Sequence, residues 1–297
     1  MLLGLPDFEI LFPASVGEAS AMLAEHGIEA KLLAGGSDLL IAMKHKKKLP
    51  RVLINIKRIP GLKDIKTDAD GTLVIGALAT SADIAAAPDV PEASSALRQA
   101  AEVLGTTQIR NIGTIGGNLG NASPSAEFAP PLLCLDAGLT CAGPDGERFL
   151  PLDQFFLGPG RSALGPAEVI TEIRVPPPPA GAADTYVKHS LRRMDVAMAS
   201  AAILAAMDGE RAATVRIALG AVAPTPFRAL KAEAVLSGHP VTEQLIAAAA
   251  EAATDESTPI DDIRGYAGYR RGVVRDLVAA GLRQVLAAAG GNEKASA

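Results

Sequence analysis

Residues 176–179 are all proline, and Ala180-Gly181-Ala182-Ala183 follows them. Consecutive prolines cannot continue the interior of a sheet and favour an extended spacer, so no regular element is expected to cross this point. The chain has 297 residues, which is enough for two domains of roughly 100–200 residues each. We therefore predict domains over 1–177 and 178–297, the first with subdomains over about 1–58 and 59–177.

The region before the proline run alternates helix and strand patterns. Ser15 and Glu18 have capping-box spacing, which predicts a helix that ends at Gly27, and Ser37 with Asp38 would cap a helix reaching Met43. Further patterns predict strands over 52–56 and 169–175, hairpins around loops 68–71 and 144–146, and helices over 91–104 and 125–135. This region is predicted to be an α/β unit.

The region after the proline run has strands first and helices later. Strand patterns cover 185–191, 197–207 and 214–222, with a turn at 208–210, and helical patterns follow near 228–236, 242–253 and 263–289. This order favours an α+β domain with a small antiparallel sheet and helices. The whole chain is therefore predicted to be α+β.

Composition excludes several classes of function. The 28 basic and 33 acidic residues give a net charge of −5, aromatics are 3% and tryptophan is absent, which argues against nucleic-acid binding. The longest apolar run, 196–207, is too short to span a bilayer, which needs about 20 residues. Two cysteines cannot complete a four-cysteine site, and the four histidines are scattered. We expect no metal site, and a reducing, cytoplasmic location.

Two glycine-rich stretches are the best candidates for a binding site. The first is KLLAGGSDL at 31–39, and the second is GTIGGNLGNASP at 113–124. Glycine pairs permit positive φ and close approach of the backbone, and successive N–H groups in such turns can bind an anion. A dinucleotide pyrophosphate needs that kind of cradle. Two ordinary tight turns remain the alternative, and position alone does not name a ligand.

The combination of these motifs resembles one family. AGGSDLL at 34–40 and RNIGTIGGNLGNASPSAEFAP at 110–130 are similar to the two flavin-binding signatures of the FAD subunit of molybdenum hydroxylases. These are the medium subunits of xanthine dehydrogenase and carbon monoxide dehydrogenase. KHSLRRMDVAMA at 188–199 resembles a third segment of the family. The resemblance covers essentially the whole chain and implies FAD as the cofactor.

The resemblance also implies roles for individual residues. The residues expected to wrap the FAD pyrophosphate are Leu32, Leu33, Ala34, Gly35, Gly36, Ser37, Asp38 and Leu39. Thr114, Gly117 and Asn118 would form a second loop beside the phosphates. Glu127 stands where the family often has an aspartate that accepts a hydrogen bond from a flavin-side hydroxyl. Leu104 and Ile170 would pack against the flavin, and Lys188 would be a cation near its ring.

The resemblance further implies that substrate chemistry takes place on partner subunits, so no catalytic residue is expected here. Relatives hydroxylate a substrate at a molybdenum centre on a large molybdopterin subunit, and electrons pass through 2Fe–2S clusters on a small subunit to FAD. FAD then delivers them to an external acceptor. The implied assembly is a dimer of heterotrimers. The segment with Arg192, Arg193 and Asp195 either moves near the acceptor, as in some relatives, or is a solvated hairpin with internal ion pairing.

Two other functions stay open at this point. One is a stand-alone FAD-dependent oxidoreductase of the same flavin fold, similar to UDP-N-acetylenolpyruvoylglucosamine reductase. The other is an assembly subunit that kept the fold and lost the cofactor. Flavin content separates the last from the others, and co-purification of molybdenum and iron separates the first from the stand-alone enzyme.

Overall fold

The computed structural model describes residues 4–90 and 94–296, with side chains up to residue 290. Its N-terminal part is a parallel sheet in the order β1-β3-β2, formed by β1 (Glu9–Leu11), β2 (Ala30–Leu33) and β3 (Val52–Asn55). Helix α1 (Val16–His26) connects β1 to β2, and α2 (Leu39–Lys44) follows β2. Ser15 caps α1 by accepting from the Glu18 N–H, and Gly27 ends it with a φ of 52°. The carboxylate of Glu18 accepts from the Ala14 N–H, so only half of the predicted capping box forms.

The middle part is an antiparallel sheet in the order β4-β5-β10-β6-β7. Its strands are β4 (Ile65–Thr67), β5 (Leu73–Gly76), β6 (Gly138–Gly143), β7 (Gly146–Pro151) and β10 (Val169–Val175). A short hairpin joins β8 (Phe156–Gly158) and β9 (Arg161–Ser162). The helices of this part are α3 (Ser81–Ala86), α4 (Ser95–Val103), α5 (Thr107–Arg110), α6 (Ile115–Gly120) and α7 (Ala129–Cys134).

The C-terminal part is an antiparallel sheet covered by helices. Strands β11 (Ala183–His189), β12 (Ala199–Asp208), β13 (Arg211–Gly220) and β14 (Phe227–Arg228) pair in chain order. Helices α8 (Leu230–Leu236), α9 (Glu243–Glu256) and α10 (Ala267–Ser296) follow. The α+β prediction is confirmed. Proposed boundaries at 58/59 and 177/178 fall between the three sheets; the structure does not otherwise test this division, which stays a prediction.

Strand β12 explains how the C-terminal sheet is fixed to the rest of the molecule. Its residues are almost all buried, because alternate side chains point to opposite faces and both faces of the strand are covered. Ile203 packs with the helices of its own domain, whereas Ala202 and Leu204 join the core of the middle part. Ion pairs add to this contact, since Arg216 and Arg228 both reach Asp136, which follows α7. These contacts hold the C-terminal sheet in a fixed position against the middle part.

Several elements differ from the sequence prediction. The helix predicted over 91–104 begins at Ser95, after the Ser94 cap, and residues 91–93 lie outside the described residues. The helix predicted over 125–135 is shorter, with Pro130 and Pro131 in its first turn. The following elements were not predicted: β1, β8, β9, β14, α3, α5 and α6. Within the residues described, no helix is long and apolar enough to cross a membrane.

Candidate functional site

A cavity of about 710 Å³ is lined by residues of both the N-terminal and the middle part of the chain. Its size is within the roughly 300–1,000 Å³ range of ligand sites. Thirteen of the fifteen predicted site residues line it: Leu32, Ala34, Gly35, Gly36, Ser37, Asp38, Leu39, Leu104, Thr114, Gly117, Asn118, Glu127 and Ile170. The two sequence motifs, about 80 residues apart in the chain, therefore lie at one site.

The first glycine segment, Gly35–Leu39, is an open turn between β2 and α2. Gly36 has a φ of 78°, which favours glycine. Within the described chain, the backbone N–H groups of Gly36, Ser37, Asp38 and Leu39 have no protein acceptor. The side chains of Ser37 and Asp38 do not cap α2, contrary to the prediction; the Ser37 hydroxyl donates to Asp38 over 3.3 Å. This segment thus keeps a row of backbone donors available to a ligand.

Gly35 is where the first segment touches the chain that precedes the second motif. A Cβ atom on Gly35 would overlap the carbonyl of Ile112 and lie 3.1 Å from the Cα of Gly113. Only glycine allows this approach of two backbones. The contact holds the open turn against the start of the second motif.

The second glycine segment, Gly113–Gly120, is not the loop that the motif predicted. It forms α6, and Thr114 caps this helix by accepting from the Gly117 N–H over 3.1 Å. Its other early N–H groups are also used: Ile115 donates to Ala79, Gly116 to Ala77, and Asn118 to Thr114. The positive φ that glycine permits is not used at Gly113, Gly116, Gly117 or Gly120.

The glycines of this second segment serve close packing. A Cβ on Gly116 would lie 2.7 Å from both the Cβ and the carbonyl oxygen of Ala77. The polar groups that α6 can still offer to the cavity are side chains, namely the Thr114 hydroxyl and the Asn118 side-chain amide. Of that amide only the nitrogen is free, because its oxygen Oδ1 accepts from the Phe128 N–H at 3.4 Å.

The cavity is also lined by apolar residues and by a buried carboxylate. Leu104 and Ile170 are 8% and 6% exposed, and Glu127 lines the cavity beside them. The Glu127 carboxylate accepts from the Lys188 ammonium at 3.0 Å. Burial raises the pKa of Glu127 above its ordinary value, and the charge of Lys188 opposes that rise.

Two predicted site residues do not reach the cavity. Leu33 packs with Met43 and Leu53 in the small core behind the parallel sheet, because alternate residues of β2 face opposite sides. Lys188 lies behind Glu127 and also donates to the Val103 carbonyl over 3.3 Å. The structure therefore places both outside the immediate wall.

Other residues line the cavity without having been singled out by any motif. They include Thr106, which links α4 to α5, Ile109 in α5, and Glu168, which precedes β10. Ser123 and Val196 also line the cavity, and both lie within the motifs at 113–124 and 188–199. Thr106 directly follows Gly105, which lies two residues after the end of α4 and has a φ of 51°. A glycine at the end of a predicted helix was the only signal near it.

A second cavity of about 590 Å³ adjoins the first, and both are lined by Ser123, Ser125 and Val196. Arg270 lines it and is 3% exposed. It pairs with Asp262, while its Nε has no partner among the described atoms. Asp195 also lines this cavity and pairs with Arg192 over 3.1 Å, which is the internal ion pairing of the second interpretation of this segment.

The cavity combines an open turn with unpaired N–H groups, a capped helix beside that turn and an apolar wall. These features define a protein that binds a nucleotide-type cofactor between two lobes. Comparison with known proteins gives the family. Residues 6–178 match the FAD binding domain in molybdopterin dehydrogenase, and residues 184–285 match the CO dehydrogenase flavoprotein C-terminal domain. The chain belongs to the family of FAD-binding subunits of molybdenum hydroxylases, which are oxidoreductases.

Individual relatives agree over nearly the full length. The chain is 38% identical over 273 residues to the carbon monoxide dehydrogenase medium chain of Hydrogenophaga pseudoflava, covering 92% of this chain and 95% of that one. It is 32% identical over 280 residues to a putative xanthine dehydrogenase FAD-binding subunit of Escherichia coli, covering 94% and 96%. Among solved structures, carbon monoxide dehydrogenase from Hydrogenophaga pseudoflava matches with a TM-score of 0.94, over 96% of this chain and 99% of that chain.

Proposed function

We propose that this chain is an electron-transfer subunit of a heteromeric molybdenum hydroxylase. It would accept electrons from the 2Fe–2S clusters of a small partner subunit and pass them to an external acceptor, while a large molybdopterin subunit transforms the substrate. The observation that carries the proposal is the meeting of the open turn Gly35–Leu39 and helix α6 at one cavity.

The residues present fit an FAD molecule. The pyrophosphate is negatively charged, and the N–H groups of Gly36 to Leu39 offer it backbone donors without bulky side chains. The Thr114 hydroxyl and the Asn118 amide can add side-chain donors from α6. Leu104 and Ile170 offer an apolar surface to a ring system, and Glu127 offers an acceptor. Bound FAD would supply the exchange between one-electron and two-electron transfer.

The protein's own residues bind, orient and exclude water. Leu104 and Ile170, both almost fully buried, remove water from one side of the cavity. A drier surrounding strengthens electrostatic interactions in the site. The buried Glu127–Lys188 pair gives this wall a carboxylate without adding net charge. These features bear on the position and the protonation of the cofactor and not on bond making in the substrate.

Two surface features support partners beyond the cofactor. The second cavity adjoins the first at Ser123, Ser125 and Val196, so we assign it to the external acceptor. Large apolar side chains that line it are exposed, including Leu191, Ile260 and Ile263. Such clusters mark interaction sites, and we assign this one to an assembly with the other subunits, as a dimer of heterotrimers. Cys134 and Cys141 are free thiols, which supports a cytoplasmic location.

Flavin content tests the proposal directly. The full chain, expressed alone, is expected to purify with the flavin absorption bands and about one FAD per chain. Gly117→Val should lower this occupancy, because a Cβ there lies 2.8 Å from the Thr114 hydroxyl that caps α6. Gly272→Val is the matched control, since a Cβ there meets nothing within 4 Å and Gly272 lies in α10, away from the cavity.

Co-expression with candidate partner subunits tests the electron-transfer role. Molybdenum and iron should co-purify with the chain, and the flavin should be reduced when substrate is added to the complex. A folded chain that never takes up FAD would contradict the proposal and favour the assembly subunit. Rapid turnover with NAD(P)H in the absence of any partner would favour the stand-alone oxidoreductase.

A further inference from the structure

Glu127 and Lys188 form a buried ion pair that joins two domains at the cavity wall. Glu127 precedes α7 in the middle part, and Lys188 lies on β11 of the C-terminal sheet. Their side chains are 10% and 5% exposed, and their charged atoms are 3.0 Å apart. Only Glu127 lines the cavity. The order from the cavity inward is therefore carboxylate first and ammonium second.

The contacts of Lys188 explain why it stays behind the carboxylate. Its Nζ donates to Glu127 and to the Val103 carbonyl, which lies at the end of α4. Both acceptors belong to the middle part, so the ammonium is tied to the protein at two points. These two contacts hold the ammonium outside the cavity wall, and breaking either of them to move it towards a ligand would cost free energy.

Another ionisable group near Glu127 is Asp38, which precedes α2, acts on Glu127 as a like charge and so favours its neutral form. Tyr186, two residues before Lys188 on β11, adds no charge, because burial raises the pKa of its hydroxyl. Burial is the largest influence and raises the pKa of Glu127. Among the charged groups of the described residues that act on Glu127, Lys188 is the one that favours its ionised form.

We propose that Lys188 is a positioning residue that acts on the flavin through Glu127: it keeps the Glu127 carboxylate ionised and aimed at the cavity. This inference rests on the proposed function, since it requires FAD in the cavity. It differs from the expectation that Lys188 acts directly as a cation near the flavin ring. Glu127 then accepts a hydrogen bond from a hydroxyl or N–H group of the cofactor.

A charged acceptor makes a stronger hydrogen bond than a neutral carboxylic acid does. Loss of the Glu127 charge should therefore weaken FAD binding about tenfold. Removal of Lys188 leaves burial and Asp38 to act on Glu127 alone, so the carboxyl group should take up a proton at a higher pH than in the natural protein. FAD affinity then becomes pH-dependent in a range where the natural protein shows little change.

The test is the dissociation constant of FAD for the full chain, measured from pH 6 to pH 9. Lys188→Met should bind FAD about tenfold more weakly at the acid end, and its affinity should recover as the pH rises. Lys188→Arg keeps the cation and should restore the natural profile. The double variant Glu127→Gln with Lys188→Met should be weak at every pH, because no group remains to titrate.

The double variant also keeps the test usable if a single variant misfolds. It removes both buried charges together, which proteins tolerate better than the loss of one partner. Circular dichroism and thermal unfolding identify any single variant that does not fold. In that case the comparison between the natural protein, Lys188→Arg and the double variant still decides the matter.

Two results would overturn the inference. One is a Lys188→Met profile that parallels the natural one, which would show that Lys188 does not act through Glu127. The other is a pH dependence that persists in the double variant, which would assign it to a different group. Failure of the natural chain to bind FAD at any pH is a separate result, and it contradicts the proposed function itself.

Discussion

The two glycine segments at the cavity have similar sequences and opposite structures. Gly35–Leu39 is an open turn whose N–H groups are not used by the protein. Gly113–Gly120 is a closed helix whose early N–H groups all have protein acceptors. The first glycine pair includes a positive φ at Gly36, and the second pair lies in helix α6. A glycine pair therefore does not by itself indicate an anion-binding turn.

The difference assigns different work to the two segments. In the open turn, the backbone itself can meet a negatively charged ligand, and side chains matter little. In the closed helix, small size matters, because Gly116 lies against Ala77, and ligand contacts are left to Thr114 and Asn118. Substitutions should therefore act through the backbone in the first segment and through side chains in the second.

The largest effect is expected from Gly35→Ala. The new Cβ would overlap the Ile112 carbonyl, so the two segments must separate. We expect FAD affinity to fall at least about 100-fold, and the free energy of unfolding to fall by about 3 kcal/mol. Isothermal titration with FAD and urea unfolding measure the two effects.

Gly272→Ala is the control for this change. Gly272 lies in α10, and a Cβ there meets nothing within 4 Å, so alanine should leave FAD binding unchanged and raise helix stability slightly. If Gly35→Ala binds FAD as the natural chain does, the contact between the two segments does not shape the site.

An intermediate effect separates backbone from side-chain recognition. Asn118→Ala removes a side-chain donor of α6, and we expect about tenfold weaker FAD binding. Ser37→Ala should change the affinity less than about threefold, because backbone N–H groups of the open turn remain. Equilibrium titration of both variants gives the comparison. Equal losses of FAD affinity in the two alanine variants would contradict this difference between the two segments.

The sequence identified which segments meet at the cavity better than it predicted local structure. The two Gly-Gly motifs and their neighbours lie in those segments, although their glycines serve different purposes, a positive φ at Gly36 and close packing at Gly116. The helix at 115–120 could not be predicted, since glycine is a poor helix former. It forms because Thr114 caps it and because Gly116 fits against Ala77, a contact between residues far apart in the chain.

Side-chain direction was the other limit. Leu33 and Leu32 are neighbours in β2, yet only Leu32 faces the cavity. Which of the two faces the ligand depends on how the sheet packs, and the residues at 32–34 are all apolar, so the local pattern does not distinguish the two faces. The expectation that Lys188 lies near the flavin ring stays a prediction, since its position in the motif does not show that Glu127 lies between it and the cavity.

A third glycine segment at the cavity, Gly165–Glu168, is of the closed kind. The Gly165 N–H donates to the Glu168 carboxylate at 2.6 Å, so this N–H is not available to a ligand. The carboxylate also accepts from Arg148 Nε and Nη2, at 2.6 and 2.8 Å. This hydrogen bonding to Arg148 holds the pKa of Glu168 below its ordinary value.

The smallest effect is therefore expected from Glu168→Gln. FAD affinity should change less than about twofold, because the amide oxygen can still accept from Gly165. The free energy of unfolding at pH 7 should fall by no more than about 1 kcal/mol, since Arg148 is partly exposed and solvent screens the pair. A lowered pKa means that this contribution is present above the pKa of the unfolded chain and is lost as the pH falls through the folded value. Urea unfolding at pH 7 and at successively lower pH should thus show a difference from the natural chain that shrinks in acid, whereas Glu147→Gln on exposed β7 should show no difference at any pH. A difference that stays constant as the pH falls would mean that Glu168 acts through packing and not through its charge.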